Sequence, residues 1–240
     1  MSPIFTIARR ELLALFASPV GFVVVGLQAL VGGMVFFLGF DSGSPATLRD
    51  TMSFLAWSLI FITPAISMRM VSEEFRSGTI ESLMTAPVTD GQVVVGKWLG
   101  AWLFFGVAVL VTFASLGGVL LAYARPDPGP MVGQALGLML VGALYLAAGL
   151  AASAVTASQV VAFLLTVFVI GLLTLGMSQL AAIPHFPPWL QRAFFHMKVD
   201  THFEEFNKGV VDSGALIYFL STTGLLLFIA VKLLESRRWR

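Results

Sequence analysis

Long apolar stretches, separated by short polar segments, run along the whole chain. A stretch of about 20 apolar residues is long enough to cross the hydrocarbon core of a bilayer as a helix. A helix is required there because no water is present to satisfy the backbone N–H and C=O groups. The pattern therefore predicts an all-α, polytopic membrane protein, with residues 1–240 as a single transmembrane domain. Six spans are predicted, at about residues 20–40, 51–68, 98–124, 131–155, 160–183 and 213–231.

Amphipathic segments precede the first span and separate the last two. Residues 1–18 predict a helix along the membrane surface, because their apolar residues recur at helical spacing. Residues 185–212 mix charged and aromatic residues, and they predict an amphipathic extracytoplasmic segment on the outer membrane surface. The apolar residues of the first segment are Ile4, Phe5, Ala8, Leu12 and Leu15, and the aromatic ones of the second are Phe194, Phe195, Phe203 and Phe206.

Composition supports a membrane protein and narrows the possible functions. The chain is 58% hydrophobic and only 11% charged, whereas a soluble domain carries roughly a quarter charged residues. A net charge of +1 gives a nucleic-acid partner no electrostatic support. The absence of cysteine excludes disulfides and thiolate chemistry within this sequence. No ionisable residue lies in the middle of a predicted span, which argues against an ion-coupled carrier and against a hydrolase acting within the membrane.

The distribution of basic residues predicts the orientation. Six spans place both termini on one side, and the side with more Lys and Arg in its short loops is the cytoplasmic one. With cytoplasmic termini, nine basic residues lie inside and five outside. The inside set is Arg9, Arg10, Arg69, Arg76, Lys97, Lys232, Arg237, Arg238 and Arg240, and the outside set is Arg49, Arg125, Arg192, Lys198 and Lys208.

The cytoplasmic segment Arg69–Lys97, between spans two and three, is the main candidate for a functional site. Its first part predicts a short amphipathic helix, Ser72–Met84, which Gly78 interrupts. One interpretation is a surface helix that only links two spans, and the other is a helix that docks into a groove on a soluble partner. A capping box of Thr89 and Gln92 marks the start of the next helix.

Residues Gly91–Lys97, followed by Trp98, nearly match the phosphate loop of nucleotide-binding proteins. That motif needs a Ser or Thr after its lysine to bind Mg²⁺, and it needs a preceding strand. Trp98 replaces the hydroxyl residue, so we expect no ATP or other cofactor to bind this chain.

Three histidines, His185, His196 and His202, lie in the outer segment with several carboxylates. A metal site is one interpretation. The six-residue spacing of His196 and His202 suits neither helical contact distance, so solvated or interfacial histidines are favoured. Small residues spaced four apart, such as Gly96 and Gly100, allow close helix packing within the bundle or between subunits.

Several motifs resemble those of the ABC-2 type transporter permeases. The first is Glu73-Glu74 followed by Gly78-Thr79-Ile80-Glu81, and it precedes Leu83 and Pro87. Gln159–Phe163 and His202–Phe219 are similar to the permeases of the gliding-motility (GldF-like) ABC transporter group. The resemblance covers essentially the whole chain.

The resemblance implies the permease subunit of an ATP-binding-cassette transporter in a bacterial inner membrane. ATP and Mg²⁺ would be bound by a separate cytoplasmic ATPase, so this chain would not itself be an enzyme. The implied partners are that ATPase, a second permease copy or paralogue, an extracytoplasmic auxiliary subunit, and lipid. Export is the implied direction. The implied ATPase-coupling residues are Glu73, Glu74, Arg76, Gly78, Thr79, Glu81 and Leu83.

Two other functional classes remain open from the sequence. A non-transporting membrane anchor or scaffold of an envelope or motility complex would use the same docking helix. An ATP-independent channel is the third class, and the lack of charges deep in the spans disfavours it.

Overall fold

The computed structural model describes residues 2–39, 47–79 and 88–238, and these are helical over most of their length. Six of the described helices are long and apolar enough to cross a membrane, which confirms the six predicted spans. They are α2 (Pro19–Leu38), α3 (Arg49–Ser67), α5 (Asp90–Tyr123), α6 (Pro128–Val155), α7 (Gln159–Ala181) and α10 (Ser213–Arg238). The remaining helices are α1 (Pro3–Ala17), α4 (Ser72–Ser77), α8 (Pro188–His196) and α9 (Val199–Asn207).

Local sequence signals explain where the helices begin and end. Ser18 separates α1 from α2, and its hydroxyl accepts a hydrogen bond from the Val20 N–H, with Pro19 at the first helical position. The predicted capping box is present, because Thr89 and Gln92 exchange hydrogen bonds at the start of α5. Helix α5 therefore begins eight residues before the predicted span, and the region that resembles a phosphate loop is regular helix. Its backbone N–H groups cannot surround a phosphate.

Helix α6 is the centre of the bundle. The central part of this helix is almost completely buried, and it contacts α3, α5, α7, α9 and α10. Two tryptophans of α5 stack on each other and reach this helix, because Trp98 Nε1 donates to the Ala143 carbonyl and Trp102 Nε1 to the Met139 carbonyl. These side chains connect two spans.

Helix α7 is not a regular α-helix. A π-helical turn, Leu172–Gly176, interrupts it, and this interruption was not predicted. The predicted turn between α6 and α7 is confirmed at residues 156–158, where the Ser158 hydroxyl accepts from the Val161 N–H.

The segment between α7 and α10 differs in part from its prediction. Phe203 and Phe206 of α9 are buried inside the protein against α6 and α10, so they do not lie on the membrane surface as predicted. They fit because an added methyl group at Gly137 would lie 2.6 Å from Phe206 Cβ. Helix α8 has no buried residue, which is compatible with the predicted surface position.

Candidate functional site

Helix α4 lies at the end of the bundle where α3 ends, and it is held there by the end of α6. The Ser153 hydroxyl of α6 accepts hydrogen bonds from the backbone N–H groups of Val71 and Ser72, at 3.0 and 2.9 Å. These N–H groups precede or begin the helix and have no partner within it. Ser72 also donates from its hydroxyl to the Met68 carbonyl. The start of α4 is therefore attached to spans two and four.

A cluster of four charged residues, Arg10, Glu11, Glu74 and Lys97, joins α1, α4 and α5. Lys97 is only 2% exposed. Its ammonium lies 2.8 Å from Glu74 Oε1 and 3.3 Å from Glu11 Oε2, and Arg10 Nη2 lies 3.4 Å from the same Glu74 oxygen. Two positive and two negative charges therefore balance in a largely buried place. We call these four residues the Lys97 cluster.

Close packing of α1 against α5 brings Glu11 to Lys97. A methyl group at Gly96 would lie 2.8 Å from Ile7 Cβ, and one at Gly100 would lie 2.6 Å from the Ala8 carbonyl oxygen. Only glycine permits this approach. The predicted packing role of this glycine pair is therefore fulfilled inside the chain, where it receives the N-terminal helix.

A second ion pair lies beside the Lys97 cluster. Arg69 and Glu73 form two parallel hydrogen bonds, with Nε to Oε2 at 2.8 Å and Nη2 to Oε1 at 3.0 Å. Arg69 also donates from Nη1 to the Ser18 hydroxyl at 3.2 Å, which links the start of α4 to the junction of α1 and α2. A cavity of about 90 Å³, lined partly by Glu11, Ser18, Arg69 and Glu73, separates this pair from α1.

The predicted coupling residues occupy different environments. Glu73 and Glu74 form the ion pairs described above, whereas the Arg76 side chain is exposed and forms no ion pair with any described residue. Gly78 ends α4 with a φ of 71°, in the left-handed region. Thr79 is the last described residue before the gap at residues 80–87, and its hydroxyl oxygen lies 2.9 Å from that of Ser77. Glu81 and Leu83 lie outside the described residues.

The first part of the helix predicted over Ser72–Met84 is present as α4, which ends at Ser77. Glycine adopts a left-handed backbone at no steric cost and commonly ends a helix. The interruption predicted at Gly78 is thus a helix end. Residues 80–87, which hold the second half of the predicted helix, lie outside the described part of the chain.

Exposed Arg76 lines a cleft of about 420 Å³ between α4 and the turn that joins α6 to α7. Ala157, Ser158, Gln159 and Val160 form the described remainder of its wall. This cleft, the exposed side of α4 and the Lys97 cluster form one continuous region at this end of the bundle. We call the region the α4 site.

Sequence reasoning missed the partners of Lys97. Lys97 was interpreted as a charge that flanks span three, and Glu11 was given no role. A signal for Glu11 was present, because it lies on the same helical face as Ile4, Ile7 and Leu15. A carboxylate on the apolar face of an amphipathic helix needs a cationic partner. Its partner lies 86 residues further along the chain, too far for any local pattern to reveal.

The histidines of the opposite end do not form a metal site among the described residues. His202 instead stacks on Tyr218, and its Nε2 lies 2.9 Å from the His196 carbonyl oxygen. Nearby, burial raises the pKa of the Asp200 carboxyl from its ordinary value, although Lys198 opposes the shift.

Sequence comparisons relate the chain to transporter proteins. Residues 34–188 match the family described as "ABC-2 family transporter protein", and this match includes α3 to α7 and therefore α4. A similar relative is "Probable ABC transporter permease protein NosY" of Pseudomonas aeruginosa, 27% identical over 167 residues, which are 63% of this chain and 59% of the relative. A protein of the same description from Stutzerimonas stutzeri is 28% identical over 124 residues, 47% of this chain and 44% of the relative. The chain thus spans about half the length of the curated relatives it matches.

Proposed function

Because the chain belongs to the ABC-2 family of transporter proteins, we propose that it is the permease subunit of an ATP-binding-cassette transporter and that a separate ATPase drives it through the α4 site. The observation that carries this proposal is the Lys97 cluster. It links α4 to two other elements, with Lys97, Glu11 and Glu74 largely buried. A partner that displaces α4 would therefore either move α1 and α5 with it or break these ion pairs.

The proposed coupling begins with ATP binding by the partner ATPase, which holds ATP and Mg²⁺. ATP can bias the permease only if the ATPase contacts α4 differently in its two states. Exposed Arg76 offers a direct contact for an acidic side chain of the ATPase, while Glu73, Gly78 and Thr79 shape the surface around it. Glu81 and Leu83 lie outside the described residues, and their proposed coupling role rests on the sequence resemblance alone.

Movement of α4 would reach the bundle along three routes. Ser153 connects it to α6, Lys97 connects it to α5, and Glu74 connects it through Lys97 to Glu11 of α1. The direction of transport that we propose is export. The assembly that we propose has two permease chains, with the termini and α4 on the cytoplasmic side of a bacterial inner membrane and α8 and α9 outside.

Two finer assignments remain predictions. An extracytoplasmic auxiliary subunit and membership of the gliding-motility group rest on the sequence resemblance, and the printed descriptions of the two relatives name ABC transporter permeases without reference to gliding. A non-transporting scaffold is the alternative function, because it would bind an ATPase through the same site.

Charge reversal at Arg76 tests the proposed docking. The chain is co-expressed with an ABC ATPase subunit from the same genome, and both co-purification and ATP hydrolysis in nanodiscs are measured. Because Arg76 is exposed and forms no ion pair with the described residues, R76E should leave the fold intact and reduce ATPase co-purification at least about tenfold. The matched control is K208E, an exposed cation at the opposite end of the bundle, which should bind the ATPase normally. Equal co-purification of both variants would refute docking at α4.

Transport itself is separated from scaffolding by a second measurement. In proteoliposomes that contain the permease and the ATPase, a transporter shows ATP hydrolysis that depends on the transported compound. A scaffold binds the ATPase equally well but gives no ATP-driven flux with any compound. Loss of flux in E74Q with retained co-purification is expected, because Glu74 connects α4 to Lys97.

A further inference from the structure

One buried polar side chain, Gln28, lies in the middle of α2 and has no hydrogen-bonding partner among the residues that the structure describes. It is 0% exposed, and neither its amide nitrogen Nε2 nor its amide oxygen Oε1 meets a partner in the structure. A primary amide carries two N–H donors and a carbonyl acceptor. Leaving these unpaired in an apolar interior is strongly unfavourable, and buried polar groups are therefore almost always paired.

The depth of Gln28 makes the missing partner more significant. Nine residues separate it from Pro19 and ten from Leu38, the two ends of α2, so at about 1.5 Å per residue it lies roughly 14 Å from either end. A bilayer core is about 30 Å thick, which places the amide near its midplane. Water and lipid headgroups are absent at that depth.

Gln28 lies on the face of α2 that packs against α3 and α5. The buried residues of α2 recur every three or four positions, at Gly21, Val24, Gln28, Gly32 and Phe36. A methyl group at Gly32, one turn away, would lie 3.2 Å from Thr112 of α5 and 3.4 Å from Leu55 of α3. Thr112 donates to the carbonyl of Ala108 in its own helix. No described residue on this surface forms a hydrogen bond with either polar atom of the Gln28 amide.

The exposed face of α2 lies opposite to Gln28. Leu27, Leu30 and Met34 on that face are 46%, 64% and 62% exposed. A second copy of the chain that packed on the exposed face would not reach the amide of Gln28. The partner must therefore enter between α2 and the helices α3 and α5.

We propose that Gln28 is a binding residue for the transported molecule, and that its amide becomes accessible when α2 separates from α3 and α5. The binding partner is an uncharged group that both donates and accepts hydrogen bonds, such as an amide or a hydroxyl. A charged group is disfavoured because no ionisable residue lies near the middle of α2 or α3 to balance it. This inference rests on the proposed permease function and adds the chemistry of the substrate and its contact.

The absence of a hydrogen-bonding partner for the Gln28 amide is tested on the purified chain without the ATPase. Q28M keeps the side-chain length and removes the amide, so its melting temperature should rise, by about 3–6 °C for a chain of this size. Q134M is the matched control: Gln134 is also buried, at 1% exposure, and its Oε1 has no partner among the described residues, but its Nε2 donates to the Asn207 carbonyl at 3.2 Å. Its melting temperature should fall. A fall in Q28M as well would show that Gln28 is paired and would overturn the proposal.

The proposed separation of α2 from α3 and α5 is tested by labelling a single thiol. The chain has no cysteine, so Q28C carries its only thiol, and L27C places one at the same depth on the exposed face. In nanodiscs with the ATPase, the reaction of Q28C with a water-soluble maleimide should accelerate at least about tenfold when ATP and vanadate trap the complex, and L27C should not respond. Equal rates for Q28C in the two states would overturn the proposal.

Ligand chemistry is tested with two compounds of equal chain length, the amphiphile decanamide and the hydrocarbon decane. Decanamide should stimulate ATP hydrolysis by the wild-type complex, and Q28M should reduce that stimulation about tenfold while its small response to decane stays unchanged. Equal stimulation of wild type and Q28M by decanamide would show that the Gln28 amide does not contact the compound, and would refute substrate binding at this residue. If the wild-type chain bound no ATPase, every variant would fail alike, which would identify a failure of the proposed function instead.

Discussion

Removing the charge of Lys97 should destabilise the protein far more than removing a surface charge. In K97M, the carboxylates of Glu11 and Glu74 lose the ammonium that lies between them, 3.3 and 2.8 Å away. Their side chains are only 14% and 17% exposed, so water replaces little of the lost interaction. Arg10 still reaches Glu74, but its own side chain is 58% exposed and the contact is weak.

The size of the effect follows from the burial of the pair. Breaking a buried ion pair by removing one partner costs about 3–5 kcal/mol. Because the two carboxylates retain some contact with solvent, the lower end, about 3 kcal/mol, is the appropriate value here. That energy corresponds to a change of roughly 150-fold in the unfolding equilibrium. For a chain of this size the melting temperature should fall by about 6–12 °C.

Thermal unfolding in detergent, followed by circular dichroism, measures this shift. K232M is the matched control, since Lys232 pairs with Glu235 at 2.7 Å while both side chains are well exposed, at 57% and 40%. Such a pair contributes only a few tenths of a kcal/mol, so K232M should melt within about 1–2 °C of wild type. The triple variant E11Q/E74Q/K97M should recover most of the lost stability, because the one charge of the cluster that it leaves without a partner, Arg10, is 58% exposed. A melting temperature of K97M equal to that of K232M would refute the reasoning.

The remaining predictions concern three other residues. G78A should lower the stability by about 1–2 kcal/mol because alanine resists a left-handed backbone, whereas G118A, at a lipid-exposed helical position, should raise the melting temperature slightly. S153A leaves two N–H groups at the start of α4 without an acceptor and should cost about 1–3 kcal/mol, while S221A on exposed α10 should be nearly neutral. A larger fall in melting temperature in G118A than in G78A, or in S221A than in S153A, would contradict these expectations. Because burial raises the pKa of Asp200, the fold favours its protonated form, so this stability is present at low pH and is lost as the pH rises through that pKa. D200N should remove this part of the pH dependence of the melting temperature, and an unchanged profile would argue against it.

The six spans could be predicted from the sequence because each helix that crosses a membrane needs about 20 mostly apolar residues in a row. The six apolar stretches correspond to six helices in the structure. The capping box of Thr89 and Gln92 also predicted the start of α5 correctly. The start of the span was placed at Trp98 because Lys97 was treated as a boundary. A lysine with two carboxylate partners is neutralised locally and therefore does not end the buried part of a helix.

Some residues of the α4 site could be predicted from the sequence, but the orientation of their side chains could not. Glu73, Glu74, Arg76, Gly78 and Thr79 were identified from their local motif, but the motif did not show that Glu74 points inward and Arg76 outward. That difference depends on α1, whose position against Gly96 and Gly100 is a long-range contact. Gln28 was equally hidden, because one amide in an apolar stretch looks like any tolerated polar residue until its neighbours are known.

The contact of α1 with α5 also has a consequence for biogenesis. Helix α1 leaves the ribosome before α5, because the glycine surface and the lysine that receive it are synthesised about 90 residues later. Glu11 must therefore remain in the aqueous or headgroup region while the first two spans enter the membrane, and it finds its charge partner only after the third span is in place. The Lys97 cluster can therefore form only after the first three spans have been inserted correctly. A protease that recognises an unattached α1 would remove chains in which that insertion has failed.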